Sequence, residues 1–252
     1  RVTADRGFIA VQDLNLAATL PRNLRGSCTV TARDFPLRAA TGGTTLFQDA
    51  ILSGRLDLVE ISGGALTTRG GFQVSAWDGT VEISRISGSG LAGPDPGIQL
   101  DLSMEEVRLE QLTSPLQLGR ISGVLQGTVQ GLRLGGSYPY VESFLLDLET
   151  VERDGVPQKI NARAVKNISR IGGGSALTTA LSSSFLRFFD AYRYRKIGLR
   201  ATLQDGWLEL YGIRKDGEEY LVTPSWLPPT ISMPLIVMGE NRKVRFASWI
   251  ST

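Results

Sequence analysis

Apolar side chains recur at alternate positions in one short segment after another, the spacing that puts them on one face of a half-buried strand. In the first part of the chain the runs are Val11, Leu14, Leu16, Ala18 and Leu20; Cys28, Val30 and Ala32; Leu52, Leu56 and Leu58; Phe72, Val74 and Ala76; and Val81 and Ile83. They continue as Ile98, Leu100 and Leu102; Val107 and Leu109; Leu125 and Val129; Phe144, Leu146 and Leu148; and Ile160, Ala162 and Ala164. The last runs are Ile197, Leu199, Ala201 and Leu203; Trp207 to Leu210, with Leu208 and Leu210 on one side; Leu235 to Val237; and Val244 to Ala247. Turn formers separate them: Gly42-Gly43, Ser62-Gly63-Gly64, Gly70-Gly71, Asp78-Gly79, Gly135-Gly136, Asp154-Gly155, Asp205-Gly206 and Asp216-Gly217. Asp-Gly pairs take the positive φ angles of tight hairpin turns, so the pattern predicts an all-β, mainly antiparallel meander.

The phrases Leu52–Gly64 and Ile121–Gly131 share a Ser-Gly followed by alternating apolar residues, a weak repeat of one strand unit. One segment breaks the period. After Gly172-Gly173-Gly174, the residues Leu177, Leu181, Phe185, Phe188 and Phe189 fall at helical spacing with Ser175 as a cap, which predicts an amphipathic helix over 175–190. Two prolines and two glycines in 91–97 interrupt any ladder there, dividing the chain into segments 1–97 and 98–252 or marking a long loop inside one domain. Residues 224–234, with Pro224, Pro228, Pro229 and Pro234, read as an extended crossing connection.

Composition narrows the chemistry. The 252 residues contain no histidine, which removes the side chain that does most acid/base work near neutral pH and the commonest metal ligand. Cys28 is the single cysteine, so it forms no intramolecular disulfide or thiolate metal site, and a buried structural thiol is its simplest reading. Catalysis is therefore not expected, and no cofactor is. Lys and Arg number 27 against 25 Asp and Glu, scattered along the chain, so no nucleic-acid footprint is present. No stretch has the length of uninterrupted apolar sequence that a membrane-spanning helix needs, and the strand-like start at Arg1-Val2-Thr3 reads as a piece of something longer.

Other candidate features have plain alternatives beside them. Gly172-Gly173-Gly174-Ser175 precedes the predicted helix, where N–H groups hold phosphate, yet it lacks the Gly-Lys-Ser/Thr ending of a nucleotide loop and also suits a flexible lead into the helix. Glu105 and Glu106 are adjacent on a strand and point to opposite faces, so they form no acid/base pair. Arg187, Arg193, Arg195 and Lys196 flank Phe188, Phe189, Tyr192 and Tyr194, a composition that suits a membrane surface, with packing of the helix on the sheet as the competing reading.

The stretch from about 98 to 213 resembles the C-terminal part of the AsmA-like envelope proteins, closest to the YdbH and TamB group. The phrases that carry the likeness are Leu100–Leu109, Gly119–Gly127, Ala164–Ile171, Phe188–Leu199 and Leu203–Gly212. The resemblance implies an elongated, curved, β-taco-like sheet forming an open groove. It implies a segment of an inner-membrane-anchored protein in the periplasm that shields phospholipid acyl chains on their way to the outer membrane. On that reading the lining is Val81, Ile83, Leu100, Leu102, Leu125, Val129, Phe144, Leu146, Leu148, Ile197, Leu199, Leu203, Leu208 and Leu210. The segment of Leu177, Leu181, Phe185, Phe188, Phe189, Arg193 and Arg195 would plug the groove or dock it on a membrane. A structural module that pairs a sheet edge with an outer-membrane protein is the competing function.

Overall fold

The structure, a computed structural model, describes residues 1–4, 7–18, 24–42, 44–91, 93–116, 119–136, 140–171, 191–215, 218–224, 237–238 and 242–246. It is mostly antiparallel β-sheet, and the sheet is open and not closed into a barrel. Contacts divide the chain into two compact units that interleave in sequence. One holds Arg1–Met104 with Thr128–Leu145, the other Glu105–Gly127 with Leu146–Thr252.

In the first unit, β1 (Val2–Ala4), β2 (Gly7–Ala18), β3 (Leu24–Pro36), β4 (Ile51–Ser62), β5 (Ala65–Ala76) and β6 (Gly79–Ser89) each pair antiparallel with the next in sequence. Their alternating apolar residues explain the ladder, because only a strand puts every second side chain on one side. Between β3 and β4, two short 3-10 turns at Leu37–Ala39 and Thr45–Phe47 bring Phe47 to 5.9 Å from the ring of Trp77, whose indole N–H donates to the Leu46 carbonyl. The loop with Pro94 and Pro96 connects β6 to β7 (Gly97–Arg108). Two later strands, β9 (Val124–Gly135) and β10 (Val141–Val151), contribute residues to both units, as β7 does.

Two turn assignments move. Asp78-Gly79 is expected as the hairpin centre, but Ala76 pairs with Gly79, so the turn residues are Trp77 and Asp78, with φ of 53° and 55°. Gly70-Gly71 is not a turn at all. It lies inside β5, where Gly70 takes φ of 104° opposite Leu56.

That glycine belongs to a set of β-bulges. Register shifts place an extra residue between Gln12 and Asn15 in β2, Ala32 and Phe35 in β3, Leu56 and Val59 in β4, where the ladders to both neighbours record it, and Thr67 and Phe72 in β5. Each adds an unpaired residue, bends its strand and increases the twist. The bulge at Asp57 corrects one expected run: Leu56 faces Gly70, but Leu58 faces Arg69 and so lies on the opposite side from Leu52 and Leu56. In β6 the positive φ falls on Arg85, whose guanidinium pairs with the buried carboxylate of Asp101 on β7, while the other oxygen of that carboxylate accepts from the Gly131 N–H at 2.7 Å. One aspartate thus satisfies two irregular positions.

The second unit contains α1 (Leu109–Thr113), β8 (Ile121–Ser122), β11 (Lys159–Ile160), α2 (Ala162–Ile171), β12 (Tyr192–Gln204), β13 (Trp207–Tyr211), β14 (Ile213–Lys215), β15 (Glu218–Pro224), β16 (Val237–Met238) and β17 (Arg242–Arg245). The long strand β12 pairs with β15 up to Ile197 and with β13 from Arg200, with a shift between Tyr194 and Lys196. Two expected strand runs are corrected here. Leu109 starts α1, so the strand ends at Arg108, and Ala162 and Ala164 lie in α2, with only Ile160 left in a strand. The helix wins because Asn161 caps it, accepting the Ala164 N–H at 2.9 Å, and because buried Ala164 and Val165 suit a helix as well as a strand. Gly119, at φ of 104°, lets the preceding loop run against Ala164, where a Cβ would collide with its backbone. The predicted helix over 175–190 and the connection over 225–234 lie outside the described residues.

Candidate functional site: the apolar face of each unit

Register fixes which side chains share a face. In the first unit, Phe35, Leu52, Val74 and Val81 form one row across β3 to β6, and Ala32, Gly54, Phe72 and Ile83 the next. Val11, Val30 and Leu56 form a third, and Leu16, Gly26, Ile61 and Leu66 a fourth beyond the bulges. The other face carries Thr31 and Arg55, then Ser53, Gln73 and Glu82, then Ser27, Glu60, Thr67 and Ser87. One face is therefore apolar and the other polar. On the apolar face Phe35, Leu56, Val59, Val74 and Val81 are buried, whereas Val11, Leu14 and Leu16 on β2 are 53 %, 61 % and 57 % exposed. Gly26 stands opposite Leu16 and offers no side chain to cover it.

In the second unit, Ala201 pairs with Leu210, and Leu203 with Leu208, which in turn faces Val244. The reverse face bears ion pairs that bridge strands. Lys196 reaches Glu149 at 2.7 Å, Arg200 reaches Asp147 at 3.0 Å and Lys243 reaches Glu209 at 3.0 Å. Gln126 donates to Glu149 at 3.1 Å and the Tyr211 hydroxyl to Glu209 at 2.6 Å. The hydrogen bond from Lys196 lowers the Glu149 pKa, against a smaller opposing effect of desolvation; the hydrogen bonds from Tyr211 and then Lys243 lower that of Glu209. Arg245 lies 4.4 Å from the centre of the Trp207 ring on this face.

The residues expected to line a groove divide by burial. Val81, Leu125, Val129, Leu203, Leu208 and Leu210 are buried and serve packing in this structure. Ile83, Leu100, Leu102, Phe144, Leu146, Leu148, Ile197 and Leu199 are half-buried and keep apolar surface to offer. Val81, Ile83, Leu100, Leu102, Val129 and Phe144 belong to the first unit, and the rest to the second. Residues Leu177, Leu181, Phe185, Phe188 and Phe189 lie outside the described residues, while Arg193 and Arg195 are exposed on β12. Val11, Leu14 and Leu16 on the first unit's apolar face were legible as a strand run but not as its solvent-open end, and Val2, paired with Ile9 on the same face and more exposed still, was not singled out. The signal for the open end was available in Gly26 of the adjoining strand, which stands opposite Leu16.

The repeated Ser-Gly phrase also acquires a role. In both copies the glycine stands where a side chain would collide: at Gly54 with the backbone of Gly71 and Phe72 on the neighbouring strand, and at Gly123 with the Tyr194 hydroxyl. Tyr194 is buried, donates to the Ser122 carbonyl at 2.8 Å, and has its pKa raised by that burial. Among the described residues, no group of three His, Cys, Asp or Glu side chains is placed to hold a metal, and no helix is long and apolar enough to cross a membrane.

These observations define a class: an open antiparallel sheet protein with one apolar and one charged face in each unit. Comparison with protein-family models, with curated proteins and with solved structures returned no match.

Proposed function

We propose that this chain is a non-catalytic, lipid-carrying segment of a longer cell-envelope protein of the AsmA-like kind. On this reading its apolar face shields phospholipid acyl chains in a groove through the periplasm, between the inner and outer membranes. The observation that carries the reading is the open end of the apolar face at Val11, Leu14 and Leu16, continued inward by half-buried residues such as Ile83. Isolated exposed leucines are ordinary, but three on one strand and one face form the kind of patch that marks a binding surface. An acyl chain laid there gains about 0.8 kcal/mol for each methylene it removes from water. The sequence phrases between 98 and 213 supply the envelope setting.

The test is photocrosslinking in membranes from Leu16, Leu146 and Leu199, with Gln73 and Thr202 on the charged faces as controls. Phospholipid adducts are expected from the first three positions only. Their absence from all three would sink the proposal.

A second reading has its own support. β1 pairs only with Gly7–Ile9, so within the first unit no described strand pairs with the outer edge of Ala10–Ala18. An extended segment of an outer-membrane protein adding to that edge would extend the apolar face. Proline at Val11, whose N–H points to that open edge because Gly7 and Ile9 in the same phase bond to β1, would then abolish complex formation while leaving lipid crosslinks at Leu146 intact.

A further inference from the structure

We infer that the cleft between the Glu152–Gln158 hairpin and the start of β12 binds a monoanionic phosphodiester. The cleft encloses about 460 Å³ and is lined by Arg153, Arg193 and Arg195, with Glu152 and Asp154 at the turn. Its walls are tied together, because the Tyr194 N–H donates to the Gln158 carbonyl at 3.3 Å and the buried Tyr194 side chain anchors the strand on its other side. Alternation then turns Arg193 and Arg195 to the same side, and the register shift between Tyr194 and Lys196 re-aims the second of them.

The second observation is a juxtaposition of like charges. Lys159 on β11 pairs directly with Arg193, so two exposed cations stand opposite one another in the ladder. Such a pair destabilises a sheet unless something negative bridges it. Arg153 already contacts Glu106. The ionisable groups that line the cleft, Arg153, Arg193 and Arg195 against Glu152 and Asp154, carry one net positive charge. One net charge matches a phosphodiester, which carries one negative charge, better than a phosphomonoester or a polyanion. Guanidinium forks suit its two free oxygens.

The diester could be a lipid headgroup or a free molecule, and the assay separates the two sources. The full chain is titrated with glycerophosphoglycerol and followed by ³¹P NMR, with glycerol 3-phosphate as the dianionic control. In parallel it is floated with phosphatidylcholine vesicles with and without phosphatidylglycerol. Saturable binding of the soluble diester, at least as tight as the monoester, is expected, and R193Q and K159Q should each weaken it about tenfold, as loss of one charge-assisted hydrogen bond does. Flotation sensitive to R193Q without soluble binding also supports the inference and assigns the diester to lipid. No binding in either format, or binding that both variants leave unchanged, overturns it. Both side chains are exposed, and an unaltered circular dichroism spectrum checks that the variants fold. The inference stands apart from the acyl-chain reading, whose readout is crosslinking at Leu16, Leu146 and Leu199.

Discussion

Replacing Gly123 by alanine puts a methyl group where the Tyr194 hydroxyl now sits, and the cost can be worked out from the contacts. The next nearest atoms to that methyl are Tyr194 Cζ at 3.5 Å and Leu109 Cδ1 at 3.7 Å, both ordinary van der Waals contacts. The obstruction is therefore the hydroxyl alone. Pushing it aside breaks its bond to the Ser122 carbonyl and leaves buried polar atoms unpaired, about 2 kcal/mol, to which the φ of 151° at Gly123 adds about 1 kcal/mol for any side chain. G123A should thus cost about 3 kcal/mol and Y194F about 1 kcal/mol, the latter a lost hydrogen bond. With the hydroxyl already gone, alanine adds only the backbone cost, so the double variant should lose about 2 kcal/mol instead of the additive 4. Urea denaturation of the four proteins, read by far-ultraviolet circular dichroism, measures this coupling of about 2 kcal/mol. Additivity to within about 0.5 kcal/mol would refute the idea that the glycine is a seat for the tyrosine.

Other expected outcomes are simpler. Leu203→Ala empties a site that is fully buried against Leu208 and should cost about 3 to 5 kcal/mol in the same assay. Asp101→Ala removes the acceptor of both Arg85 and the Gly131 N–H and should cost about 1 to 3 kcal/mol, whereas R85Q, which leaves the carboxylate and the Gly131 bond in place, should cost less. Because the folded state lowers the Glu149 pKa, the stability it contributes is complete above the ordinary carboxylate range and is lost as pH falls through the lowered value. Acid titration of K196M should accordingly show a shallower fall in stability than that of the parent, and equal slopes would argue against the Lys196 pairing.

The fold class was legible because burial on one side of a strand forces alternation, and runs such as Phe72, Val74 and Ala76 hold that phase. It failed where phase changes without a sequence marker. Leu58 continues the run from Leu52 and Leu56 on paper, yet the bulge at Asp57 moves it to the other face, and a bulge depends on what the neighbouring strand presents. Ile160, Ala162 and Ala164 misled for another reason: a few small apolar residues satisfy both periods, and the deciding cap, Asn161, is read only once a helix is suspected. The apolar rows were predictable residue by residue, but which members are packed and which remain open depends on the neighbours that cover them. The cleft of Arg153, Arg193 and Arg195 joins segments far apart in sequence, and only the pairing of Lys159 with Arg193 brings its charges together.

The bulges that bend β2 to β5 have a consequence for fidelity of assembly. Alternation repeats every two residues, so a strand that slides by two keeps all its apolar groups inside, and burial alone cannot tell the right alignment from the wrong one. A bulge can. Sliding β4 by two residues would carry Asp57 away from the site opposite Thr29, where the threonine hydroxyl now meets its carbonyl, and set a kinked backbone against a regular stretch of both neighbours. The irregular residues thus act as detents, each holding its strand at one notch of a ladder that hydrophobicity would otherwise leave free to ratchet.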